Sequence, residues 1–319
     1  MAELTWGTPL FFDLWAAGMA GGAYFAAFLM HLLGLDRERR LLKLATYIGV
    51  PLVLLGVILI IADLGEPLRA FNMYLGLKPQ TWALVPGVGA ASLRLWPPHL
   101  SLFPISPMSL GGWVLILFTL AGIALIVLFL AESAKAWELQ GAVGWGVDIL
   151  KALRPITTLI AWAAFGLAIL VMTYTGVVLA TSSMPLWSST LLLPALFVLS
   201  ATCTGVGALI IMVRLVRGRE AETTIVSLRR ALMALLIIQG FVLVIYLIWL
   251  AVAGLVTPLL SGTLGIIFWL GAVLWGLIAP ILLEIVGRRS AARMAILSSA
   301  LVLLGGLILR AAIVVAGQV

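Results

Sequence analysis

Apolar positions along this chain neither alternate nor fall in narrow helical stripes; they run on for twenty residues or more between short polar breaks. A helix of about 20 apolar residues, rising about 1.5 Å per residue, crosses the ~30 Å hydrocarbon layer of a bilayer. Eight segments are long enough, from about Pro9 to Leu35, Leu44 to Leu64, Met108 to Glu132 and Pro155 to Thr181, then Leu191 to Val213, Ala231 to Val256, Thr263 to Val286 and Ala295 to Gly317. None shows the polar/apolar alternation of a barrel strand. The pattern predicts an all-α, polytopic integral membrane protein with eight transmembrane helices. With no internal repeat and no low-complexity linker, residues 1–319 read as a single membrane domain.

The polar breaks set an orientation. Arg37, Arg39, Arg40 and Lys43 follow the first span, and Lys135, Lys151 and Arg154 follow the third. Arg214, Arg217, Arg219, Arg229 and Arg230 follow the fifth, and Arg288, Arg289 and Arg293 the seventh. The connections after the fourth and sixth spans carry no basic residue. Lys and Arg are retained on the cytoplasmic side, so both termini are expected outside (N-out/C-out). The outer connection 65–107 is long, holds Arg69, Lys78 and Arg94, and is rich in prolines and aromatics. It reads either as a docking surface for a partner or as a cover over helix ends.

Composition agrees. The chain is 64% hydrophobic and 10% charged, against about a quarter charged in soluble domains. The net charge of +7 is explained by the basic ends of the spans, without nucleic acid. The opening Met1-Ala-Glu-Leu-Thr-Trp lacks the basic region of a secretory signal, so the first span is expected in the mature protein. A single cysteine, Cys203, excludes an internal disulfide, a four-cysteine zinc site and a self-contained iron–sulfur cluster. The histidines are His31 and His99, the latter in a Trp96-Pro-Pro-His99 loop. Two imidazoles facing each other inside a bundle are therefore not on offer, and neither haem nor another metal of its own is expected.

Ionisable groups within a membrane are costly and are candidates for function. Asp13 lies roughly 6 Å below the outer end of the first span, Tyr174 and Arg310 each roughly 10 Å below theirs at helical rise. Asp63 closes the second span, followed by Glu66 and Arg69. Four helices thus deliver polar groups to one layer. The plain alternatives are an interfacial cap for Asp63, a structural ion pair or outward snorkelling for Arg310, and an aromatic-belt position for Tyr174. Asp13 is hardest to set aside, because a carboxyl at that depth needs a partner or a proton. Close by, Gly18 and Gly22 form a GxxxG pair with Ala26 beyond, read first as helix packing and second as room for a flat ring. Toward the inner side, Glu284 stands one turn before Arg288, where an i,i+4 pair is the default. Glu132 ends the third span. A proton path through Glu284 and Gln239 is the functional alternative. Cys203 reads as a small packing residue and His31 as interfacial.

Several segments together are similar to a known family. They are Gly18-Met-Ala-Gly-Gly, Asp63-Leu-Gly-Glu-Pro-Leu-Arg69, Ser106-Pro-Met-Ser-Leu-Gly-Gly-Trp113, Thr173-Tyr-Thr-Gly-Val-Val-Leu, Pro185-Leu-Trp187 and Gly305-Gly-Leu-Ile-Leu-Arg310. Their order along most of the chain resembles the NrfD/polysulfide reductase membrane subunit (PsrC) family. The resemblance implies an inner-membrane, haem-free subunit that reacts with menaquinone or ubiquinone. It also implies a four-cluster iron–sulfur partner serving a molybdopterin-type catalytic subunit outside the cytoplasm. In that family a polar residue early in the first helix and a tyrosine in the fourth hold the quinone head group, roles that fall here on Asp13 and Tyr174. Polysulfide reductase has histidine at the position of Asp13, and asparagine at that of Leu10.

The expected activity is quinol oxidation or quinone reduction in an outer pocket between helices 1, 2, 4 and 8. Asp13 exchanges a proton with the ring, Tyr174 hydrogen-bonds it, and Arg310, Asp63 and Gly18 complete the binding site. Two other classes stay open. A secondary transporter or proton channel would show inverted repeats and broken helices, and neither stands out. A passive anchor for catalytic subunits would need no polar layer.

Overall fold

In the computed structural model, residues 8–35, 39–63, 107–132, 154–217, 222–286 and 291–319 are described. Eight helices among them are long and apolar enough to cross a membrane. They are α1 (Thr8–Leu32), α2 (Arg40–Asp63), α3 (Pro107–Glu132), α4 (Arg154–Ala180), α5 (Leu192–Arg217), α6 (Glu222–Val252), α7 (262–286) and α8 (Ala291–Ala316). The polypeptide is a polytopic all-α membrane protein. The expected outer loop, with Glu66 and Arg69, lies outside the described residues up to Pro107, as does the whole segment 133–153 between α3 and α4.

The bundle is built on α1 and α5, the two most enclosed spans. First, α1 packs on α2, α4 and α5; α3 then closes on α2 and α4. The first four helices thus stand in cyclic order round a shared interior. On the other flank α5 carries α6 and α8, and α8 carries α7. Small residues permit this closeness. A Cβ on Gly22 would collide with the Ala201 carbonyl, and one on Gly205 with the backbone of Ala23, so α1 and α5 cross backbone to backbone. Gly276 and Gly305 bring α7 and α8 together in the same way. Lipid tails are as apolar as leucine, so such contact-driven packing replaces the hydrophobic effect between helices. The GxxxG pair of α1 therefore has its packing role.

Polar side chains in the spans satisfy themselves locally. The hydroxyls of Thr46, Thr119, Thr202 and Thr204 donate to carbonyls four residues back, at 2.8–2.9 Å. Helix ends follow standard chemistry. After α1, Gly34 (φ 74°) turns left-handed, and Leu35 N–H returns to Met30 O at 3.0 Å. After α6, Gly254 (φ 72°) does the same, with Leu255 N–H on Leu250 O at 2.8 Å. Both are Schellman-type stops, for which glycine bears no Cβ penalty. Between α4 and α5 the short turn Pro185–Ser188 presses Trp187 into the bundle, where its Nε1 donates to Ile313 O at 2.8 Å. Tyr246 of α6 donates to Leu186 O at 3.3 Å. The Pro185-Leu-Trp187 motif is thus a clamp that ties α6 and α8 to the turn between α4 and α5.

One feature departs from the sequence expectation. Across Ile267–Ile278 the backbone of α7 is a π-helix rather than an α-helix. In addition, α2, α4 and α6 begin at Arg40, Arg154 and Glu222, earlier than the expected Leu44, Pro155 and Ala231. Charged residues at those ends continue the helix beyond the apolar core.

Candidate functional site

The polar groups expected to share one layer approach α1 from three directions. Asp13 is completely buried, and neither carboxyl oxygen accepts a hydrogen bond from a described residue. Its place is cleared by Gly56 of α2, where a Cβ would stand 2.5 Å from Oδ1 of Asp13. One heptad inward, Gly49 meets Ala20 at a relaxed 3.6 Å. These pairs fix the antiparallel register of α1 and α2.

Tyr174 is half-buried on α4, its ring laid directly on Gly111 of α3, where any Cβ would overlap it. The α1/α4 register is set deeper, by Tyr24 donating to Ala161 O at 3.1 Å and by Gly21 against Ala168 and Met172. Extended outward, that register brings Asp13 and Tyr174 to within about one turn of each other in depth. Asp13 faces α2 at Gly56, and the Tyr174 ring lies against α3 at Gly111. Below them Tyr24 and Phe118 meet edge to face (5.9 Å between centroids, 88°) across the diagonal of the quartet. Aromatic packing therefore floors the interior beneath the two polar groups.

Arg310 is on a different face. It follows Asp13's partner face by the five residues from Asp13 to Gly18, about 140° round α1. It is completely buried; its Nη1 donates to Ser200 Oγ at 2.9 Å and to Gly306 O at 3.3 Å, and its Nη2 donates to Phe197 O at 3.2 Å. The guanidinium carbon also sits 5.1 Å from the centre of the Phe197 ring. Neither outward snorkelling nor an ion pair with Asp13 describes it. Its partners are neutral oxygens of α5 and α8, which it pins together.

This arrangement corrects the reading of Gly18. A Cβ there would come within 2.9 Å of Arg310 Nη2 and 3.3 Å of Ala201 Cβ. The space at Gly18 is occupied by the guanidinium, not open to a ring. Asp63 is the last residue of α2, seven residues beyond Gly56, which is about 10 Å outward at helical rise.

Toward the other face, Glu284 finds a partner that sequence spacing did not indicate. Its Oε2 accepts from Nε of Arg229 on α6 at 2.7 Å, and both side chains are largely buried. Gln239 is buried with its carbonyl oxygen unbonded among the described residues. It lies ten residues along α6 from Arg229, about 15 Å at helical rise. The structure thus gives Glu284 an ion-pair role and does not join it to Gln239. Cys203 is buried in the α5 core. Among the described residues no three His, Cys, Asp or Glu side chains gather as a metal site.

Gly56 escaped the sequence reading, because a lone glycine in an apolar run carries no signal of what it faces, and Gly111 entered it only as part of the Ser106–Trp113 motif, with no side chain assigned to it. Only the register shows that each makes room for a candidate side chain.

Comparison with known proteins fits this picture. No curated protein sequence matches the chain. The family model described as polysulphide reductase, NrfD, matches residues 1–319, the whole length. The chain therefore belongs to the NrfD polysulphide reductase family, whose members are membrane subunits of respiratory oxidoreductases.

Proposed function

We propose that this chain is the quinone-reactive, haem-free membrane subunit of its complex, acting on menaquinone or ubiquinone at the Asp13–Tyr174 layer. The observation that carries the reading is Asp13, a fully buried carboxyl whose two oxygens have no described partner. A buried polar atom left so is costly, and a hydroxyl-bearing ligand beside it removes that cost. A bound quinol supplies two electrons and two protons.

The protein's own groups handle the protons. Asp13, held in place by the clearance over Gly56, accepts one at a carboxyl oxygen, releases it outward, and then accepts the second in the same way. Tyr174, braced on Gly111, offers its phenol to the other ring oxygen and fixes orientation. Asp63 stands outward of Asp13 on the way to the surface, where the proton leaves. Arg310 acts across α1 as a fixed positive charge and does not touch the ring. With both termini outside, the layer lies at the outer face of the inner membrane. Electrons pass to a four-cluster iron–sulfur subunit docked over the outer loops, and from there to a molybdopterin-type catalytic subunit.

The test is Asp13→Asn in the assembled complex. Quinol-dependent turnover should fall by about 10²–10⁴-fold, the span of a lost general base, with subunit stoichiometry and artificial-donor activity intact. Unchanged quinol turnover removes the role assigned to Asp13.

A further inference from the structure

At the opposite end of the bundle, the end of α1, the start of α2 and the first turns of α4 enclose a small cavity. Its walls include Phe28, Leu32 and Trp162 on the apolar side and His31, Arg39 and Thr158 on the polar side. Phe28 and Trp162 meet edge to face at 5.0 Å and 75°. Trp162 and Leu32 are nearly half exposed, so the mouth opens toward the acyl region of a bilayer. Arg39 sits in the left-handed region (φ 53°) and donates through Nη2 to Thr158 Oγ1 at 3.2 Å, bridging α2 to α4. Among the described residues that line it there is no carboxylate. Arg40 and Lys43 follow on the first turn of α2, and Lys43 Nζ rests 5.2 Å from the centre of the Phe129 ring. The chemistry is a guanidinium and a hydroxyl at helix-end depth, above an aromatic wall open to hydrocarbon.

We infer that this cavity binds an anionic phospholipid of the adjoining leaflet, with its headgroup phosphate on Arg39 and Thr158 and one acyl chain against Phe28 and Trp162. The basic helix ends favour net negative charge over a zwitterion, since juxtamembrane cations each attract anionic lipid by a modest increment. The aromatic wall favours a lipid over a soluble anion, which would gain nothing from it. This site is separate from the Asp13 layer and does not rest on the quinone reading.

The experiment titrates the delipidated, purified complex with phosphatidylglycerol, phosphatidylcholine or inorganic phosphate and reads bound ligand by native mass spectrometry. Phosphatidylglycerol should be retained at least about fivefold better than phosphatidylcholine, and Arg39→Gln should weaken it about fivefold, the increment of one juxtamembrane cation. Trp162→Ala should also weaken it, whereas Lys43→Gln, a charge outside the cavity, should weaken it less than Arg39→Gln does. Thr158→Ala serves as second probe should Arg39→Gln fail to assemble, and is expected to weaken retention. Equal retention of the two lipids, inorganic phosphate binding as tightly as phosphatidylglycerol, or variants at Arg39, Thr158 and Trp162 that all bind as wild type, would each overturn the assignment.

Discussion

Gly56→Ala and Gly49→Ala make a matched pair on one face of α2, one heptad apart, and the contacts predict opposite outcomes. At position 49 the new methyl would lie 3.6 Å from Ala20 Cβ, an ordinary contact, and alanine is favoured over glycine in a helix by about 1 kcal/mol. At position 56 the same methyl would lie 2.5 Å from Oδ1 of Asp13 and 3.4 Å from its Cα. The carboxyl must then swing away by about 1 Å, a misplacement that costs on the order of 10²-fold in rate where geometry sets the reaction. Quinol oxidation by the reconstituted complex, with an artificial acceptor, measures the rate; unfolding in mixed detergent micelles measures stability. Gly56→Ala should lose about 10²-fold in quinol turnover while remaining assembled, and Gly49→Ala should keep its rate and gain stability. If the two variants behave alike, the carboxyl position does not govern the reaction, and the reasoning fails.

Three more outcomes follow. Tyr174→Phe removes one hydroxyl hydrogen bond and should weaken quinol use by about tenfold, or ~1.4 kcal/mol, and Gly111→Ala should do at least as much by displacing the ring; steady-state KM and kcat for quinol check both. Glu284→Gln leaves Arg229 largely buried without its anion and should destabilise by a few kcal/mol, about 3 for a broken buried pair. The double variant with Arg229→Gln should recover part of that loss in a mutant cycle, and full additivity would show the pair to be uncoupled. Gly205→Leu places a side chain into the backbone of Ala23 and should abolish folding of the subunit, read as loss of the complex from membranes.

The eight spans were legible because continuous apolarity over twenty residues has one stable outcome in lipid. Asp13 was legible for the converse reason, since a lone carboxyl in such a run stands out. What the sequence concealed was register. Arg310 invited an acidic partner, yet it is held by Ser200, Phe197 and Gly306, because a guanidinium can disperse its donors among carbonyls wherever two helices pass closely enough. Glu284 invited Arg288 by i,i+4 spacing, and Arg288 lies outside the described residues; the described partner is Arg229 of the neighbouring helix at 2.7 Å. The π-helical stretch of α7 left no trace, as a wholly apolar segment has no polar face whose period could betray it. The start of α6 was placed nine residues late because Arg229 and Arg230 count against an apolar run while continuing a helix.

The crossing at Gly22 and Gly205 has a mechanical meaning. Where two backbones touch, neither helix can slide along the other, but each can tilt about the contact as a lever about its fulcrum. Asp13 is nine residues from Gly22, an arm of about 13 Å at helical rise. A tilt of only ~5° would carry its carboxyl about 1 Å, the distance over which reacting geometry is won or lost. A partner subunit leaning on the outer end of α1 would therefore tune the acid without ever reaching it.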